Sequence, residues 1–297
     1  MPMRHKKLAL GLLAAAVPMS IATVAFAKRM VADFDSSMVT FEMLGRPLGG
    51  AKPAAPTAAH LAGQRIAAAG DGALVIDADT GNLIRTDKAG KNIAALAVGK
   101  DAGLLAFDPV ANLAYVADRK GDRIAVVKVG GEKLEEVRSI KTPVEPYGIA
   151  LSPDRTTLYV STIADRTMVA YDAASGREKW RTPLAREPRG LAVSPDGTRA
   201  LIAYLTTGTV DEIDLLETHR AEHVALSTAA SPRRCRRCGT ESDSFARGAF
   251  TVAFMGEHQA VVPFQRETPV QQKDGNERSG SYGGGFESPI VHQLAFL

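Results

Sequence analysis

The 297-residue chain carries 36 Lys and Arg against 33 Asp and Glu, a net charge of +3, with 45% hydrophobic and 23% charged residues. That composition can bury a core and excludes a disordered chain. The charge is too small to argue for a nucleic-acid binder, so an electrostatic role must rest on local clusters.

The N-terminus has the pattern of a secretory signal peptide. Arg4, His5, Lys6 and Lys7 form a basic start, Leu8 to Val24 is apolar, and Ala25-Phe26-Ala27 supplies a small-x-small cleavage site. Pro18 and Ser20 interrupt the apolar stretch, which argues against a retained membrane span, and no Cys follows it for a lipid anchor. The expectation is residues 1–27 as signal peptide, a mature start near Lys28, and a periplasmic or secreted location. Residues 28–62 read as a lead-in. Val31 to Leu44 has some strand character, whereas Gly49, Gly50, Pro53 and Pro56 read as linker.

Internal repeats follow. Gly103-Leu104-Leu105-Ala106-Phe107-Asp108-Pro109 precedes Leu113-Ala114-Tyr115-Val116-Ala117. Gly148-Ile149-Ala150-Leu151-Ser152-Pro153-Asp154 precedes Leu158-Tyr159-Val160-Ser161, and Gly190-Leu191-Ala192-Val193-Ser194-Pro195-Asp196 precedes Ala200-Leu201-Ile202-Ala203. The leading glycines lie 45 and 42 residues apart (148 − 103 and 190 − 148). An earlier copy starts near Gly63 and a degenerate one near Phe250, with residues 227–248 as an insertion.

Each full copy holds four short apolar runs separated by Pro, Asp and Gly turns, too short for helices. Short strands at this period predict an all-β fold, a β-propeller of four-stranded antiparallel blades over residues 63–297. One such sheet cannot bury both faces alone, and its neighbours around the axis do so. Four clear copies and a partial fifth predict an incomplete ring with exposed sheet faces.

The runs Leu113–Ala117 and Leu158–Thr162, each after a Pro-containing turn, resemble the repeats of YVTN-type β-propellers. The resemblance covers about residues 63–226 well and 249–297 poorly. It implies a propeller fold but little about function, because such propellers host binding proteins, lactonases and redox subunits.

The loop entering each inner strand lies at the channel mouth, where propellers commonly bind ligands. Counted from the repeat glycines, the equivalent positions are Ala102, Tyr147 and Arg189. The last two sit in matched contexts, Glu145-Pro146-Tyr147-Gly148 and Glu187-Pro188-Arg189-Gly190, and Arg189 offers a planar anion-binding fork. Asp172-Ala173-Ala174-Ser175-Gly176-Arg177-Glu178-Lys179-Trp180 resembles the blade motif of quinoprotein dehydrogenases, in which the tryptophan docks between blades. Asp77-Ala78-Asp79-Thr80-Gly81 is a fainter echo. With a single Trp in the chain, Trp180 reads as blade packing, with no quinone cofactor.

In the insertion, Arg233, Arg234, Arg236 and Arg237 form a basic patch around Cys235 and Cys238. Gly239 stands where covalent haem attachment needs a histidine. A disulfide between the two cysteines is the expectation after export, and a zinc site completed by His219 and His223 matches no familiar spacing. The stretch from Lys273 to Gly285 reads as a long polar loop. With no recognisable catalytic constellation, the expectation is a non-catalytic exported propeller, without cofactor, that binds a protein partner or small ligand at its channel mouth. By family analogy, a redox subunit partnering a c-type cytochrome stands second and a lactonase-like hydrolase third.

Overall fold

The computed structural model of the chain describes residues 30–33, 58, 60–226, 245–257, 259–267 and 290–297. The signal-peptide segment, most of the lead-in, the arginine patch with Cys235 and Cys238, and the Lys273–Gly285 loop lie outside these residues.

The described chain is all-β. Strand β1 (Met30–Asp33) precedes four sheets that each run in simple chain order. The first is β2 (Ile66–Ala69), β3 (Gly72–Asp77), β4 (Asn82–Thr86) and β5 (Asn92–Ala97). The second is β6 (Ala102–Asp108), β7 (Leu113–Asp118), β8 (Arg123–Val129) and β9 (Leu134–Lys141). The third is β10 (Pro146–Leu151), β11 (Thr157–Thr162), β12 (Thr167–Asp172) and β13 (Glu178–Pro183). The fourth is β14 (Pro188–Val193), β15 (Arg199–Tyr204), β16 (Thr209–Asp214) and β17 (Ala221–Ala225). A fifth sheet combines β18 (Phe245–Arg247), β19 (Ala253–Phe254), β20 (Ala260–Glu267) and β21 (Ile290–Phe296) with β1, which pairs antiparallel to β21. The lead-in therefore does lend a strand.

These are propeller blades, and among the described residues the ring they make is not closed. Four apolar clusters join neighbouring sheets in sequence, first to second through fourth to fifth. Strands β6 and β11 are buried at every position, because a blade lies against each face, whereas outer strand β9 alternates buried and exposed residues. Each fully buried Leu, Ile or Val of this kind contributes about 1.5–3 kcal/mol relative to an exposed one.

The turn chemistry explains the local sequence. Ser152 Oγ accepts from the Thr157 N–H at 3.0 Å and donates to Asp154, and Ser194 does the same with Arg199 and Asp196. The two Asp-x-x-x-Gly segments close similar Asp-anchored turns at different places. Asp77–Gly81 joins β3 to β4, the second and third strands of its blade, and Asp172–Gly176 joins the third and fourth. Trp180 packs at the seam between the third and fourth blades, 5.9 Å from Tyr159 and stacked on His219 at 4.2 Å.

Residues His60 to Gln64 are bonded to the inner strands of three blades. Leu151 N–H donates to the His60 carbonyl at 2.6 Å and Val193 N–H to the Leu61 carbonyl at 2.7 Å. Gly63 N–H donates to Leu191 at 3.2 Å, and Gln64 and Leu105 exchange bonds of 3.0 and 2.8 Å. A side chain at Gly63 would run into the Ile149 carbonyl at 2.7 Å.

Candidate functional site

The strand ladders fix which positions correspond between blades. Leu105 faces Val116, Ile149 faces Val160 and Leu191 faces Ile202, and each inner strand carries a register shift just before that rung. Ala102, Pro146 and Pro188 then form the preceding rung, opposite Asp118, Thr162 and Tyr204. The residue matching Tyr147 and Arg189 is therefore Gly103, one position later than the glycine alignment implies. Ala102 is 1% exposed, in the packing between the first and second blades, and does not line the rim with the other two.

The misalignment has a physical cause. Gly148 and Gly190 are glycines because neighbouring backbone approaches them. A side-chain carbon at Gly148 would lie 2.8 Å from the Arg189 carbonyl, and one at Gly190 2.7 Å from the Thr251 Cα. At Gly103 the nearest atom would be 3.4 Å away, an ordinary contact.

In the corrected register one acidic residue precedes each inner strand: Asp101, Glu145 and Glu187. Their carbonyls accept from Arg119, Ile163 and Leu205 N–H groups at 3.0, 2.9 and 3.0 Å, the same bond in three blades. Glu145 and Glu187 sit at φ of 65° and 62°, a left-handed conformation that side chains larger than glycine rarely hold. The bend aims their carboxylates across the rim.

There they meet two guanidiniums. Arg119 spans Asp101, at 3.2 Å, and Glu145, while Arg189 bonds Glu187 at 2.6 Å. Both guanidiniums lie over the Tyr147 ring, its centroid 5.6 Å from the Arg119 guanidinium carbon and 5.1 Å from that of Arg189. Such cation–π contacts contribute about 0.5–2 kcal/mol each. Among the described residues, Arg119 Nε and Arg189 Nη1 are buried donors without an acceptor. The side chains of both arginines are only 26% and 14% exposed, yet their carboxylate partners stay about a third open to solvent. The His60–Gln64 segment meets the inner strands two residues along from the rim positions, at Leu105, Ile149 and Leu191.

The structure thus brings Tyr147 and Arg189 together, and adds Arg119, which single-blade motif reading does not reach. The signal for it is the recurring acid at 101, 145 and 187, visible once the rungs are aligned. Among the described residues no three His, Cys, Asp or Glu side chains converge as a metal site requires.

A second polar cluster lies between the third and fourth blades. Asp211 is fully buried on the rung that holds Ile84, Ala125 and Val169 in the other blades. It accepts from the hydroxyl of buried Tyr204 and pairs with Nδ1 of His223, whose side chain is 64% exposed. Burial, then the adjacent carboxylate, pushes the Tyr204 hydroxyl far above its ordinary value.

No protein-family model matches the chain. It is 33% identical over 88 residues to the uncharacterized protein YncE of Salmonella typhimurium, a match covering 30% of this chain and 22% of that protein's length. Among solved structures, hydrazine synthase of Kuenenia stuttgartiensis superimposes with a TM-score of 0.57 at 17% identity, over 84% of this chain and 66% of the other. A functionally unknown protein from Desulfotomaculum acetoxidans gives 0.52 at 15% identity, over 77% and 74%. At these identities the likeness to the solved structures establishes the shared β-propeller architecture alone.

Proposed function

We propose that this chain is an exported, YVTN-type binding propeller that takes a carboxylate-bearing ligand or partner at the rim formed by Arg119, Tyr147 and Arg189. The observation that carries the reading is the contact of Tyr147 with two guanidiniums whose present acceptors are solvent-accessible carboxylates of the same chain. A guanidinium fork matches a carboxylate in two parallel bonds. An incoming carboxylate would therefore replace Glu187 or Glu145 in kind and use donors now left unpaired. Val144, 48% exposed beside Glu145, offers an apolar contact at the same edge. Export rests on the basic, apolar and Ala25-Phe26-Ala27 pattern, and cleavage after Ala27 leaves β1 intact for pairing with β21.

The test is fluorescence anisotropy of a labelled hexaglutamate peptide titrated with purified protein. Binding that falls with added salt and disappears in the Arg119→Gln/Arg189→Gln double variant supports the reading. Equal binding by the wild type and the double variant refutes it. N-terminal sequencing of protein from the exported fraction tests the start near Lys28.

A further inference from the structure

The same inter-blade contact occurs four times, and each occurrence joins one sheet's rear face to the front face of the next. In the second blade the front row is Leu105, Val116 and Ala125, buried against Ala67, Leu74, Ile76 and Leu83 of the first. Ile149, Val160 and Val169 form the equivalent row in the third blade, buried against the second.

The first blade has its own front row. Ile66 pairs with Val75, Val75 with Ile84 and Ile84 with Ala95, the rungs that hold Leu105, Val116 and Ala125 one blade later. Among the described residues nothing buries this row: Ile66 is 59% exposed, Ala95 is exposed, and Val75 and Ile84 are partly so. At the other end, the fifth sheet buries Ala260, Val262, Phe264 and Ala295 against the fourth blade. The alternate residues Val261, Pro263, Leu294 and Phe296 point to its opposite face and remain partly exposed. No buried cluster among the described residues joins the fifth sheet to the first.

We propose that these two faces pair between copies, with the rear of one copy's fifth sheet docking on the front of a second copy's first sheet. The occupant is a second copy because this chain already carries both halves of the contact: the uncovered front is the repeat-mate of fronts that rear faces cover elsewhere in the molecule. Both faces are apolar at their centres, and two sheet faces that no described residue covers are more than a monomer ordinarily leaves in water. Because the halves differ, the contact is heterologous, and closure requires each copy to use both faces. This inference is independent of the rim reading.

The test is light scattering on the size-exclusion eluate of the purified chain and three variants. Ile66→Glu blocks the front and Leu294→Glu blocks the rear, both at positions that solvent reaches in a single copy. Val110→Glu, at a turn residue 71% exposed between β6 and β7, is the control. The wild type and the control are expected at twice the single-chain mass or a higher multiple. Each blocked variant should fall to one chain, with self-association weakened at least about tenfold. An equimolar mixture of the blocked variants should regain a pair and stop at two, since only one front and one rear remain usable. Wild type that runs as one chain at about 100 µM overturns the proposal. So does continued self-association of the Leu294→Glu variant alone, which would mean a contact between like faces. Unaltered Trp180 emission verifies that each variant is folded, and Ile66→Lys and Leu294→Lys replace any that is not.

Discussion

Replacing Tyr204 with Phe tests whether the buried carboxylate of Asp211 depends on its neighbours. The ring keeps its place among Leu191, Ile202 and Ile213, so packing changes little. Asp211, fully buried, loses a hydroxyl donor and keeps His223, and the Ala185 N–H loses the hydroxyl it reaches at 3.2 Å. A bond to a charged acceptor contributes about 1.5–3 kcal/mol, and an orphaned amide adds up to about 1 kcal/mol. The expected loss is therefore about 1.5–4 kcal/mol. With a urea slope of about 3 kcal/mol per M, the midpoint falls by about 0.5–1.3 M. The chain's single tryptophan, Trp180, packs against this cluster and reports the transition by fluorescence. Adding Asp211→Val puts on the rung the residue type found at Val169 and removes the buried charge that has lost a donor. The double variant should recover most of the loss. A single variant costing under about 0.5 kcal/mol, or strictly additive effects, refutes the reasoning.

Three further outcomes follow from the same geometry. Gly148→Ala forces a side-chain carbon against the Arg189 carbonyl and Ser161, so it should cost about 1–3 kcal/mol by urea denaturation, whereas Gly103→Ala should cost little. Glu187→Gln and Glu145→Gln release the rim arginines from intramolecular acceptors, so each should tighten hexaglutamate binding severalfold in anisotropy; weakened binding would assign the glutamates to the ligand instead. Burial and then Arg155 hold the His60 imidazole below its ordinary value, so the folded state disfavours the proton that the unfolded chain accepts. Its contribution is complete above about pH 6.5 and is lost as pH falls through the folded value. The urea midpoint of the wild type should drop more between pH 7 and 5 than that of His60→Gln.

The blades were legible because their signals are local. Ser152-Pro153-Asp154 and Ser194-Pro195-Asp196 encode turns through bonds spanning five residues, and the short apolar runs between turns name the strands. The rung that positions Tyr147 and Arg189 was legible only to within one residue. The glycine alignment equated Gly103 with Gly148, although a side-chain carbon at the first would make only ordinary contacts and one at the second would press against Arg189. Which of these holds depends on how closely the next blade approaches, and no single repeat contains that information. The His60–Gln64 contact was illegible for a related reason. Five residues are too few for a period, and their partners lie on β6, β10 and β14, far along the chain.

Asp211 shows how the two kinds of information combine. Its rung is apolar in three blades, so the repeat pattern alone would assign Val or Ile there. A carboxylate at such a rung survives only if donors surround it, and the required donors come from different strands, Tyr204 on β15 and His223 on β17. A break in repeat chemistry at a buried rung therefore points to compensating residues on the adjoining strands. The same logic isolates the rim, where an acid recurs at 101, 145 and 187 while the partner arginines do not. Arg119 has Ile163 and Leu205 as its counterparts, and Arg189 has Gly103 and Tyr147. Repeated positions build the ring, and the residues that depart from the repeat are those with no counterpart role in ring building, which is why the rim cluster is the surface on which to look for a ligand.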